Sequence, residues 1–127
     1  MSGSSNPLII EVVNLDGYKG LKSEVVYVGR GSALGNPFSH KTSKYETIQV
    51  SSRKEAIGKY EEYILEKIKY RCAENSAIQE YVGRLIKYRR LVLGCYCVPL
   101  ACHADILAKV ILDIAQKEEL ERDSFLS

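Results

Sequence analysis

The stretch LVLGCYCVPLACHADILAKVIL, residues 91 to 112, holds the densest chemistry in the chain. Cys95, Cys97, Cys102 and His103 fall within nine residues, behind the apolar run Leu91, Val92, Leu93 and ahead of a helix-patterned segment. Parallel-sheet proteins place their sites where a strand ends and a helix begins, because free amides and reactive side chains converge there. Three chemistries fit these residue types. A zinc ion would take Cys95, Cys97, Cys102 and His103 as four N/S ligands, although adjacent Cys102 and His103 would both have to turn inward. Covalent catalysis would use Cys102, whose thiol is acidified at a helix N-terminus, but a base next to it in sequence diverges from it on a helix. In the third reading the cysteines are small packing residues, His103 gives a ring N–H to a ligand or to a carboxylate such as Asp105, and the helix amides receive an anion. We prefer the third. Its purely architectural version, with no ligand, competes with it.

A second segment, Val28-Gly29-Arg30-Gly31-Ser32-Ala33-Leu34-Gly35-Asn36-Pro37-Phe38, follows a predicted strand. Its glycines allow close backbone approach to a ligand, successive amides can form an anion-binding nest, and Arg30 suits phosphate or carboxylate. Ser32 and Asn36 would fix orientation. The segment is not a P-loop, because the GKS/T element is missing. As a bare pattern it equally describes a tight loop with Arg30 paired to a carboxylate. His40 reads as an incidental loop histidine. Tyr27 and Tyr96 sit near two strand ends, where one of them could stack on a base or sugar, although half-buried core is the commoner role of a tyrosine.

The elements that must carry these segments follow from periodicity. Residues 8 to 14 and 24 to 28 read as strands, placed as antiparallel neighbours by the AspGly turn at 16 and 17. The long polar loop 29 to 50 precedes Ser52-Arg53-Lys54-Glu55, a capping box. Behind it Ile57, Tyr60, Ile64 and Ile68 mark one helix. Ser76 and Gln79 suggest a second box, with Ile78, Val82, Leu85 and Ile86 as the apolar face of a shorter helix. Residues 91 to 96 form the third strand, and a last helix runs from about His103 to Lys117. The expected fold is a small α/β domain, two-layer or three-layer-like, of order β-β-α-α-β-α with a parallel crossover between the second and third strands. Residues 1 to 7 are expected to be a flexible leader, 8 to 120 the single domain and 121 to 127 a frayed helix end. If the crossover is parallel, the glycine loop and the cysteine turn face one crevice.

Composition narrows the function. A net charge of +2 is too small to argue for nucleic acid, and the cluster Lys87, Arg89, Arg90, with the loop lysines Lys41 and Lys44, reads first as solvated surface. No apolar run reaches the length of a membrane span, no secretory signal pattern opens the chain, and crowded cysteines on an ordinary core favour a reducing, cytoplasmic setting. A sheet of three strands leaves an edge that a second copy could pair with.

The pair YVGRGSALGNPF and LGCYCVPLACHADILA resembles the DUF4326 domain family, a bacterial and phage family of unknown function. Gly29, Arg30, Gly31, Ser32, Gly35, Asn36, Pro37 and Phe38 match its first motif, and Cys95, Cys97, Pro99, Cys102, His103 and Asp105 its second. Tyr96 stands where tryptophan is more usual and Ala104 where glycine is. The late motif also looks like the strand-Cys…Cys-His-helix element of the DUF488 family, a similarity of short pattern only. The resemblance implies a small α/β domain and no substrate.

The sequence thus points to an anionic, nucleotide-derived ligand held by Gly29, Arg30, Gly31, Ser32, Gly35 and Asn36, with Cys95 and Cys97 lining the site and no cofactor. If there is turnover, His103, Asp105 and Cys102 would carry it, in hydrolysis or transfer at a glycosidic or phosphate bond. A sensor or sequestering protein would use the same pocket without turnover, and a structural zinc module is the alternative from a different class.

Overall fold

A computed structural model describes residues 7–20, 24–29, 32, 34–39, 48–49, 51–96 and 103–126, with the backbone alone at 38–39, 48–49 and 122–126. Its elements are β1 (Ile9–Asn14), β2 (Val25–Tyr27), β3 (Phe38–Ser39), β4 (Ile48–Gln49), α1 (Arg53–Lys69), α2 (Ala73–Tyr88), β5 (Arg90–Cys95) and α3 (His103–Leu126). Apart from the short parallel pair β3–β4 within the long polar loop, this is the expected β-β-α-α-β-α order in a small α/β domain.

β5 is buried from Leu91 to Cys95, and it occupies the centre of a three-stranded sheet of order β1-β5-β2. Both neighbours are parallel to it: Val12 lies opposite Leu93 on one side, and Val26 opposite Leu93 on the other. The parallel crossover into β5 is therefore as expected. The antiparallel pairing of β1 and β2 is not. The turn chemistry after β1 is present, with Gly17 at φ +102° and the Asp16 amide donating to Asn14 Oδ1 at 2.8 Å. It folds the chain back across the sheet instead of alongside β1. Ten residues can reach roughly 33 Å, enough to return the length of the sheet and step over one strand. Leu15 lies over Gly94, and Tyr18 and Glu24 come near Arg90 at the other end of β5. The most buried strand takes the middle, where a neighbour pairs each of its backbone edges and flanks its side chains.

Three helices cover one sheet face, so the domain has two layers. Ile10 and Val12 of β1, Val26 and Val28, and Leu91, Leu93 and Cys95 point into a core with Tyr60 and Ile64 of α1, Ile78, Val82 and Leu85 of α2, and Leu107 and Ile111 of α3. On the other face Val92 is buried, while Ile9 and Tyr27 are exposed.

Helix ends follow local rules, with two departures. Ser52 caps α1 by accepting from the Glu55 amide at 3.1 Å. Glu55 reaches back one residue further than a standard capping box, to the Ser51 amide at 2.7 Å and the Ser51 hydroxyl at 3.0 Å. These bonds, the backbone one foremost, hold its carboxyl below its ordinary pKa. The second capping box does not form. α2 begins a turn earlier, at Ala73, and Ser76 lies inside it. The cause is the tight end of α1: Cys72 N–H bonds Lys67 C=O at 2.9 Å and Arg71 N–H bonds Ile68 C=O at 3.1 Å, with Arg71 left-handed at φ +54°. That Schellman closure delivers the chain straight into α2. The Tyr63 hydroxyl, bonded to Glu74 at 3.2 Å, staples the corner, and burial first, then the Glu74 charge, raises the Tyr63 pKa.

Candidate functional site

Because β2 and β5 run parallel and side by side, the glycine loop and the cysteine turn leave the same end of the sheet. Val28 continues the ladder past β2 by donating to Gly94 C=O at 3.0 Å. His103, the first residue of α3, is buried, and its Nε2–H donates to Val28 C=O. A carbonyl can only accept, so the bond fixes the Nε2-protonated tautomer. The two motifs, some 75 residues apart in sequence, are thereby joined directly.

The glycine loop folds on itself and onto α1. Ser32 Oγ donates to Gly29 C=O at 2.6 Å, the Ser32 amide donates to the same carbonyl at 3.1 Å, and the Gly35 amide bonds Ser32 C=O at 3.0 Å. Asn36, buried, donates through Nδ2 to Ala56 C=O at 3.1 Å in the first turn of α1. Tyr60, with no exposed surface, donates its hydroxyl to Leu34 C=O at 2.7 Å. The edge of its ring meets the His103 imidazole, with centroids 4.9 Å apart. Tyr60 thus touches both motifs at once. Its apolar helical spacing gave no sign of this role, which needs the loop carbonyl and the imidazole to arrive from elsewhere in the chain.

Above this clamp lies an aromatic pair. Tyr27 and Tyr96 are exposed, with ring centroids 6.0 Å apart and planes at 59°. The Tyr27 ring folds back over Gly29: a Cβ there would lie 2.5 Å from its Cε1. A side chain at position 29 would therefore displace the Tyr27 ring. Tyr27 closes β2 and Tyr96 directly follows β5, so the pair sits at the shared end of the two strands.

Gly29, Ser32, Gly35, Asn36, Cys95 and His103 come together around the ends of β2 and β5. Cys95 is buried and packed in the core. Asp105 is exposed in the first turn of α3. Arg30, Gly31, His40, Cys97 and Cys102 lie outside the described residues. Among the described residues no three His, Cys, Asp or Glu side chains gather in a group that could hold a metal ion. The basic cluster is largely paired within the chain: Arg89 with Glu119 at 2.9 Å, and Arg90 with Glu11 at 2.7 Å. No helix among the described residues is long and apolar enough to cross a membrane.

A family model described as a domain of unknown function, DUF4326, matches residues 13–113. No curated protein and no solved structure matches the chain.

Proposed function

We propose, from the premise that this chain belongs to the DUF4326 family, that it binds a small anionic, nucleotide-derived ligand in the crevice between the glycine loop and the Cys/His turn. The observation that carries the reading is the bond from His103 to Val28 C=O, which brings both motifs to one sheet end. Three features give that end the chemistry of a nucleotide. Tyr27 and Tyr96 offer exposed aromatic faces on which a base can stack. The start of α3 supplies amides and the positive end of a helix dipole to an anion. Arg30, the next residue in the chain after buried Gly29, is the cation that the sequence offers for an anion.

His103, Asn36 and Ser32 build the walls. Each has a polar atom committed to a backbone carbonyl of the loop or of α1. This favours binding without turnover, as a sensor or sequestering protein, over acid/base chemistry at His103. The setting we assign is the bacterial or phage cytoplasm.

Native mass spectrometry of purified protein against a pooled nucleotide and nucleotide-sugar library tests the reading. A bound mass in the nucleotide range is expected, lost in Arg30→Ala and weakened in Tyr27→Ala by about 5- to 150-fold, the worth of one base–aromatic stack. Unchanged affinity in Arg30→Ala sinks the assignment. One zinc per chain with no nucleotide moves the site to a metal role for Cys95, Cys97, Cys102 and His103.

A further inference from the structure

We infer that β1 is a dimerisation edge, on which a second copy of this chain adds its own β1 antiparallel to form one six-stranded sheet. The inference is independent of the ligand reading. It begins with the direction of the backbone groups. The Ile9 amide bonds Arg89 C=O and the Leu15 amide bonds Cys95 C=O, each at 3.0 Å, so the odd-numbered residues of this stretch face β5. Backbone direction alternates along a strand. The N–H and C=O groups of Ile10 and Val12 therefore point away from the sheet, and β1 has β5 as its one strand neighbour among the described residues.

Edges are normally protected by proline, lysine, a bulge or short length. β1, Ile-Ile-Glu-Val-Val-Asn, has six residues, no proline and no lysine, its single charge, Glu11, is paired with Arg90 of the same chain, and it pairs regularly with β5 along its whole length.

The occupant follows from register. Antiparallel bonds form only between outward-facing residues. A two-fold axis at Glu11 satisfies that rule but sets Glu11 directly against Glu11 of the second copy, which like-charge repulsion disfavours. An axis at Val12 satisfies it without conflict. Val12 then exchanges two N–H···O bonds with Val12 of the second copy, and Glu11 sits opposite Val13, still free to keep Arg90 in its own chain. The strand is self-complementary in this register. A two-fold perpendicular to the sheet also keeps both helical layers on one side. α3 packs over β1 and β5, so its symmetry mate lies about 10 Å away, an ordinary helix–helix distance.

The experiment is light scattering with native mass spectrometry over a concentration series, on the full chain and two variants. Wild type is expected at twice 14.3 kDa when concentrated, falling to 14.3 kDa on dilution. Val12→Pro removes an N–H that no strand among the described residues uses. It should leave far-UV circular dichroism unchanged and weaken dimerisation by about 30-fold, the effect of two lost backbone bonds. Val12→Cys puts two thiols about 5.5 Å apart by Cα, within disulfide range, and mild oxidation should give a covalent dimer whose cross-linked peptide maps to position 12 on both chains. A wild type monomeric at every concentration overturns the inference, as does a folded Val12→Pro that dimerises unchanged. If Val12→Pro fails to fold, the Val12→Cys arm decides: the position-12 cross-link supports the edge, and its absence overturns it.

Discussion

Replacing Gly94 with alanine tests the path of the β1–β2 connection, because the two possible paths predict opposite signs. Gly94 lies in central β5, with φ outside the left-handed region, so its backbone accepts alanine. In an open strand position the exchange would stabilise the protein by roughly 0.5–1 kcal/mol, since glycine loses more backbone freedom on folding. Here the new Cβ would stand 2.5 Å from Val25 Cγ1 and 3.0 Å from Leu15 Cδ2 and Cγ, against about 3.5–4.0 Å for ordinary carbon contact. Val25 is β-branched and stiff in χ1, and Leu15 is held by its amide bond to Cys95 C=O. Overpacking of this kind costs about 1–3 kcal/mol. Subtracting the entropic gain from the middle of that range leaves a net destabilisation of about 1 kcal/mol. Urea unfolding followed by circular dichroism should show a lower midpoint with an unchanged m-value. Val25→Ala in the Gly94→Ala background should be less harmful than Val25→Ala alone, with a coupling of about 1 kcal/mol. A neutral or stabilising Gly94→Ala would refute the reasoning and return the connection to a hairpin beside β1.

Tyr60→Phe strips the hydroxyl from Leu34 C=O; leaving that buried carbonyl without it should cost about 1–3 kcal/mol, read by urea unfolding, and raise amide exchange at Gly35. His103→Phe keeps the ring and removes the donor to Val28 C=O; a loss of about 1–3 kcal/mol is expected, with faster exchange of the Val28 amide as the local signature. Arg71→Gly relieves a left-handed non-glycine at the α1–α2 corner and should raise stability by up to about 1 kcal/mol, measured as a higher urea midpoint. The Glu55 carboxyl is held below its ordinary pKa in the folded state, so its contribution is complete above the ordinary glutamate range and is lost as pH falls through the lowered folded value. Glu55→Gln should therefore flatten the acid side of the stability–pH curve, read by urea unfolding at stepped pH.

The elements themselves were legible in the chain. Apolar spacing marked Tyr60 and Ile64, and Ile78, Val82 and Leu85, and all of them are buried in one core. The apolar run Leu91, Val92, Leu93 announced the strand β5, and the length of the segment from β2 to β5 called for a parallel crossover. Those three inferences together predicted that the two motifs meet at one sheet end. Local signals failed where they competed with tertiary demands. AspGly at 16 and 17 makes a real turn, but turn chemistry specifies a bend and not the partner reached after it, and the burial of β5 decided that partner. Ser76 and Gln79 have the residue types of a cap, yet the Schellman closure at Arg71 started α2 before them. Sequence also could not assign Tyr60, because its hydroxyl bond to Leu34 and its ring contact with His103 join segments 26 and 43 residues away. Periodicity is a property of neighbours along the chain, so it fixes which face of an element is apolar. Which strand lies beside which, and which side chain bridges two loops, depend on the free energy of burying those faces together, and only the folded chain expresses that.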